Sequence, residues 1–282
     1  MNPADFDLVA NGLKKRSGLD LSKDKTYLIE SRLGPVARKL GLEDMAKLIV
    51  ELRTRPTEAL WNEVTDAMTT NESFFFRDKT PFELFEKVML PSLVKSRANT
   101  RRIRIWCAAA STGQEPYSIA MIIKQLAVKL AGWNFEIIGT DICEEVLDKA
   151  REGVYSQFEV QRGLPIQLLV KNFDKLGESW QVKSDLRSMI KLEKFNLLDP
   201  FTGKGQFDII FCRNVLIYFD QPTKKSVLER MSQHVPNDGF LVLGAAETVF
   251  GLTDTFRSSD GNRGLYLPKG AEEPENKLAK AS

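Results

Sequence analysis

The stretch Arg104-Ile105-Trp106-Cys107-Ala108-Ala109-Ala110-Ser111-Thr112-Gly113-Gln114-Glu115-Pro116-Tyr117-Ser118 carries the residue types of a ligand-binding turn. An apolar strand leads into small side chains that let the backbone approach a bound molecule, and Pro116 suits the first position of a helix. In an open α/β sheet, ligands sit outside the carboxyl ends of the strands, and here such an end meets a helix amino end. The pattern is neither G-x-x-x-x-G-K-[ST] nor G-x-G-x-x-G, so a nucleotide phosphate is not what it cradles. The same small residues would also suit a plain packing turn. Asp141 closes the run Ile137-Ile138-Gly139-Thr140 and is placed to accept both hydroxyls of a ribose; capping the next helix is the competing role. Two more polar sets flank apolar runs: Asn71, Ser73 and Arg77 around Phe74-Phe75-Phe76, and Asn214 with Tyr218 after Ile209-Ile210-Phe211-Cys212.

What is missing limits the chemistry. With a single histidine, His234 at a predicted helix end, neither a Ser-His-Asp triad nor a His-rich metal site can be built. Cys107, Cys143 and Cys212 show no metal spacing and fall in or beside apolar runs, so they read as buried thiols. A formal net charge of +2 makes no electrostatic case for bulk nucleic acid. No run reaches the roughly 18 to 20 apolar residues of a membrane span. The opening MNPADFDLVANGLKK lacks a basic-then-apolar signal, so a cytoplasmic protein without membrane insertion is expected.

The elements that must position these groups divide the 282 residues in two. Over 1–70, apolar residues at helical spacing (Phe6, Val9, Leu13; Met45, Leu48, Ile49, Leu52; Leu60, Trp61, Val64, Met68) predict a small helical domain. Between them, Lys25, Arg32 and Lys39 recur every seven residues, with Arg38 alongside. On one helix they make a basic stripe, either a solvated face or a dock for an acidic helix, and Gly34-Pro35 predicts a break in it. The Phe74-Phe75-Phe76 triplet cannot share one face, so 71–80 is expected as a linker wedged at the domain seam. Thr80-Pro81-Phe82-Glu83 predicts a capping box. From 81 to 269 a strand–helix alternation follows: strands Ile103–Ala108, Phe135–Asp141, Phe207–Arg213 and Phe240–Gly244, and helices Pro116–Leu130, Glu144–Arg151 and Pro222–Val235. An insert at about 155–195 interrupts it, with a helix over Pro165–Phe173 and a short sheet pair, Ser179–Val182 with Met189–Phe195. The charged tail 270–282 lacks bulky apolar residues and is predicted to be disordered.

The run AAASTGQEPYSIAM, with the matching segments Asn71–Asp78, Asn196-Leu197 and Cys212–Asp220, resembles the chemotaxis receptor methyltransferases (CheR-type). The match extends from Asn71 to Asn214 behind a four-helix prelude. The resemblance implies an α/β class I methyltransferase (Rossmann-like) sheet with a terminal antiparallel hairpin near Thr255–Ser258 and Gly264–Leu267, an N-terminal all-helical domain and a small β insert. It implies S-adenosyl-L-methionine as cofactor, S-adenosyl-L-homocysteine as product, and glutamate side chains on the receptor's cytoplasmic signalling helices as acceptors. Carried over by residue, it implies cofactor contacts for Asn71, Ser73, Arg77, Glu115, Asp141, Asn196, Leu197, Arg213 and Asn214. Arg77 would also position the acceptor carboxylate and Tyr218 would shape the methyl pocket, while Lys25, Arg32, Arg38 and Lys39 would face the receptor. Ser73 stands where the family more often has threonine. Some members dock a peptide tethered to the receptor on the β insert; here Lys175–Leu186 is short with a single glycine, Gly177, which argues against that. A glutamate of pKa about 4.3 is ionised at neutral pH and needs no base, in keeping with the single histidine. The alternatives are a non-catalytic sensor of the cofactor and a methyltransferase of another substrate class; the [DN]-P-P-[YFW] motif of nucleic-acid enzymes does not stand at Asn214-Val215-Leu216-Ile217.

Overall fold

In the computed structural model, which describes residues 1–275, four helices build the first unit: α1 (Pro3–Ser17), α2 (Thr26–Lys39), α3 (Met45–Thr54) and α4 (Glu58–Met68). Asn2, Asp44 and Thr57 cap α1, α3 and α4 by accepting backbone N–H groups, and Gly18 closes α1 in the left-handed conformation at φ 79°. Phe6, Leu13, Leu33, Leu48 and Trp61 share one core. Pro35 does not break α2. The N–H it lacks faced the exposed Ser31, while Ile29, Leu33, Val36 and Ala37 are buried on the opposite side and hold the helix through it.

Two of the three aromatics sit elsewhere than expected, while Phe74 borders a cleft shared with Ser17 and Leu19 of the helical unit. Phe75 is fully buried edge-on against Tyr155 and Phe173 at 5.0 and 5.6 Å, and Phe76 meets Phe82 at 5.3 Å. Both pack into the α/β core rather than against the four helices. Positive φ angles at Phe76, Asp78 and Lys79 fold the linker back onto that core. The seam is made by the end of α1 instead: the Asp20 N–H donates to the Tyr218 carbonyl at 2.9 Å, and Lys14 pairs with Asp220 at 2.8 Å. No capping box forms at Thr80, because α5 (Thr80–Leu84) already includes it and Lys79, at the cap position, supplies no side-chain acceptor. A π turn over Phe85–Met89 joins α5 to α6 (Leu90–Ser96).

The large sheet forms from β1 (Arg102–Ala108), β2 (Asn134–Asp141), β6 (Ile190–Lys194), β7 (Ile209–Cys212), β8 (Phe240–Leu243), β9 (Phe256–Ser258) and β10 (Leu265–Pro268). Its order is β6-β2-β1-β7-β8-β10-β9, parallel except for β10, which runs against both its neighbours. The helices that cross between strands are α7 (Gln114–Gln125), α8 (Glu144–Glu152) and α12 (Gln221–Ser232); α7 ends short of Leu130, and Pro116 is its third residue, still in the first turn where no N–H partner is lost. The insert holds β3 (Val154–Ser156), α9 (Gln157–Gln161), α10 (Ile166–Asn172), β4 (Phe173–Leu176), β5 (Ser179–Val182) and α11 (Ser184–Arg187), with strand order β3-β5-β4. Contrary to the expected pairing, β6 joins β2 and not β5. Gly139 makes room for it: a Cβ there would come within 2.8 Å of the Leu192 side chain. Before residue 276 the tail is tied down, Glu273 pairing with Arg257 and accepting the Ser259 hydroxyl at 2.8 Å; residues 276–282 of the segment expected to be disordered lie outside the described residues.

Candidate active site

The strand register brings the chemistry to one edge. Ala108 is level with Thr140 and Cys212, Asp141 with Lys194, and Cys212 with Leu243, so the segments after β1, β2, β6, β7 and β8 emerge together where strand order reverses between β1 and β7. With Ser17 and Leu19 from the end of α1 and Thr69–Phe74 from the linker, the segments after β1, β2, β6 and β7 line an open cleft of about 1000 Å³. Asn71, Ser73, Arg77, Glu115, Asp141, Asn196, Leu197, Arg213, Asn214 and Tyr218 all border it; Lys25, Arg32, Arg38 and Lys39 do not.

The turn after β1 is strained toward the cleft. Ala109 and Ser111 hold φ of 60° and 50°, values that non-glycine residues adopt only when their surroundings enforce them. The enforcement is visible: the Ala110 N–H donates to the Thr140 carbonyl at 2.8 Å, and the Ser111 N–H to Asp141 Oδ2 at 2.9 Å. The Ser111 hydroxyl then donates to the Asn71 carbonyl at 2.8 Å, fastening the linker over the turn. Asp141 Oδ1 accepts the Cys143 N–H at 3.1 Å, and α8 has no side-chain cap, so Asp141 braces the loop rather than capping the helix. This buried carboxylate also borders the cleft, a placement that suits the hydroxyls of a ribose. Burial pushes the Asp141 carboxyl up, against the backbone N–H groups that pull it down.

The other charges are accounted for. Arg213, almost wholly enclosed, donates to Glu115 at 2.6 Å, to Asp78 at 2.8 Å and to the Arg77 carbonyl at 2.8 Å. Burial raises the Glu115 carboxyl more than the Arg213 guanidinium lowers it. Glu72 pairs with Arg162 at 2.6 Å. Arg77 differs: Nη1 donates to the Glu72 carbonyl at 2.8 Å, and the remaining nitrogens have no hydrogen-bond partner among the described residues. An Arg fork of this kind suits a carboxylate.

Several residues act otherwise than sequence suggested. The Asn196 amide, which borders the cleft, also donates to the Arg16 carbonyl and accepts the Leu198 N–H, tying α1 to the end of β6. Arg32 leaves the basic stripe altogether: it donates to the carbonyls of Met68 and Thr69 at 2.7 and 2.9 Å and to the Thr70 hydroxyl at 3.0 Å, clamping the linker. Lys39 is paired with Glu63 at 2.6 Å, so reversing Arg32 and Lys39 would disturb the cleft wall as well as any docking face. Ser17, Leu19 and Phe195, which border the cleft, went unnoticed in sequence, since nothing in local spacing sets them apart from core residues.

Comparison with known proteins places both units of the chain. The family model described as "CheR methyltransferase, SAM binding domain" matches residues 71–265, and "CheR methyltransferase, all-alpha domain" matches residues 4–69. The chemotaxis protein methyltransferase Cher2 of Pseudomonas putida is 37% identical over 93% of this chain and 96% of its own length. Chemotaxis protein methyltransferase 1 of Pseudomonas aeruginosa is 37% identical over 93% and 96%, and the chemotaxis protein methyltransferase of Salmonella typhimurium 32% identical over 91% and 88%.

Proposed function

From the premise that the chain belongs to the CheR methyltransferase family and binds S-adenosyl-L-methionine in its α/β domain, we propose that it methylates glutamate side chains on the cytoplasmic signalling helices of chemotaxis receptors. When bound, the cofactor supplies a methyl group on a positively charged sulfur. Asp141 would hold the ribose, and Leu197, Phe195 and Leu19 the flat apolar base. Transfer of that methyl group to an acceptor carboxylate oxygen would cancel opposite charges and move no proton, so the residues of the cleft would have to place the acceptor and not deprotonate it. Arg77 would orient that carboxylate with its open guanidinium nitrogens, and Tyr218, across the same cleft, would limit where the methyl group can lie. Placement of this kind supplies on the order of 7 to 11 kcal/mol of the barrier.

The observation that carries this reading is the absence of a free proton acceptor among the described residues that border the cleft: Glu115 is paired with Arg213, Glu72 with Arg162, and Asp141 with backbone N–H groups. An amine or hydroxyl acceptor would have to be deprotonated there; a carboxylate arrives ready. The rate of transfer to receptor domains at saturating cofactor is therefore expected to be flat from about pH 6.5 to 9, because an acceptor of pKa about 4.3 is ionised throughout. A rate that climbs tenfold per pH unit across that window would mean an acceptor that must first lose a proton. For the receptor-facing surface, Lys25 and Arg38 remain the proposed contacts, exposed and without ion-pair partners among the described residues.

A further inference from the structure

One buried acid outside the cleft lining holds the segment that carries Asn214 and Tyr218. Glu247 follows β8 in Leu243-Gly244-Ala245-Ala246-Glu247 and is 8% exposed. Its Oε2 accepts the N–H groups of Gly244 and Asn214 at 2.7 and 2.8 Å, and its Oε1 those of Val215 and Ile217 at 3.0 and 3.3 Å. Asn214 has φ 59°, and this left-handed residue turns successive N–H groups inward to make the concavity the carboxylate fills. A non-glycine residue in that conformation persists only where its surroundings hold it. The fit leaves no slack: a Cβ on Gly244 would lie 2.7 Å from Glu247 Oε2 and 3.0 Å from both the N and Nδ2 of Asn214.

We infer that Glu247 is a positioning residue for methyl transfer, fixing Asn214 and Tyr218 at the acceptor side of the cleft through the backbone of residues 214–217. The inference rests on the proposed transfer to glutamate. The carboxylate has four acceptor directions and uses one for each N–H; an amide in its place turns N–H groups against N–H groups and satisfies two at most. Removing it frees the segment without touching cofactor or acceptor.

Glu247→Gln tests this, with Gly244→Ala as a second variant that pushes the carboxylate out of position while keeping its charge. With receptor signalling domain as acceptor, kcat is expected to fall about 100-fold in both folded variants while the affinity for S-adenosylhomocysteine changes less than about fivefold. A purely structural role would lower the melting temperature and spare kcat. Amide exchange at Val215 and Ile217 provides a readout free of any substrate, and in Glu247→Gln it should quicken at least tenfold. Wild-type protein that methylates no receptor domain would refute the glutamate reading by itself, and the amide exchange would still decide the role of Glu247. A folded Glu247→Gln variant with kcat within about threefold of wild type, or with Val215 and Ile217 as protected as before, would overturn the inference.

Discussion

Replacing Asp141 by alanine is expected to weaken S-adenosylhomocysteine binding on the order of a hundredfold or more, since charged hydrogen bonds contribute roughly 1.5 to 3 kcal/mol each and two ribose hydroxyls are lost. Calorimetry measures it directly. Asp141 also accepts the Ser111 and Cys143 N–H groups, so Asp141→Asn belongs beside it: the amide keeps one acceptor and should fall between wild type and alanine. The pH dependence has a definite sign. Ribose donors need the ionised carboxylate, and burial raises its pKa, so affinity should decline with falling pH from above the usual carboxylate range. Unchanged affinity in a folded alanine variant would reduce Asp141 to a brace for the turn.

Arg77→Ala is expected to lower the rate of methyl transfer about 100-fold and cofactor affinity by less than about fivefold, because its open nitrogens are assigned to the acceptor. Lysine should restore only part of the rate, offering a point charge where a planar fork is needed. The backbone around Arg77 is held by Arg213 through the Arg77 carbonyl, so the side chain can be removed without releasing the segment. Loss of rate and affinity in equal proportion would place Arg77 on the cofactor instead.

Sequence periodicity revealed most of the architecture because the signal is local. Phe6, Val9 and Leu13 must face one way on any helix, and Ile105–Ala108 and Ile137–Gly139 are apolar on both faces as buried parallel strands require. Failures arose where a distant partner decides. Pro35 sits within α2 because the core on its far side outweighs one missing hydrogen bond, and Met189–Phe195 alternates like a hairpin strand but finds its room beside Gly139. The cleft residues recognised through family motifs all border one cavity. The roles of Arg32 and Glu247 escaped because their work is done on backbone groups tens of residues away, at Met68 and Thr69 and from Asn214 to Ile217, and no spacing rule encodes such a contact.

The most direct test is to incubate the protein with methyl-labelled S-adenosylmethionine and purified receptor signalling domains and to map the product by mass spectrometry before and after mild base. Transfer to glutamate predicts label on glutamate residues that leaves as methanol on base treatment, and about a hundredth of that label with Arg77→Ala at matched early times. Label that survives base, or that maps to lysine, serine or another side chain, would contradict it.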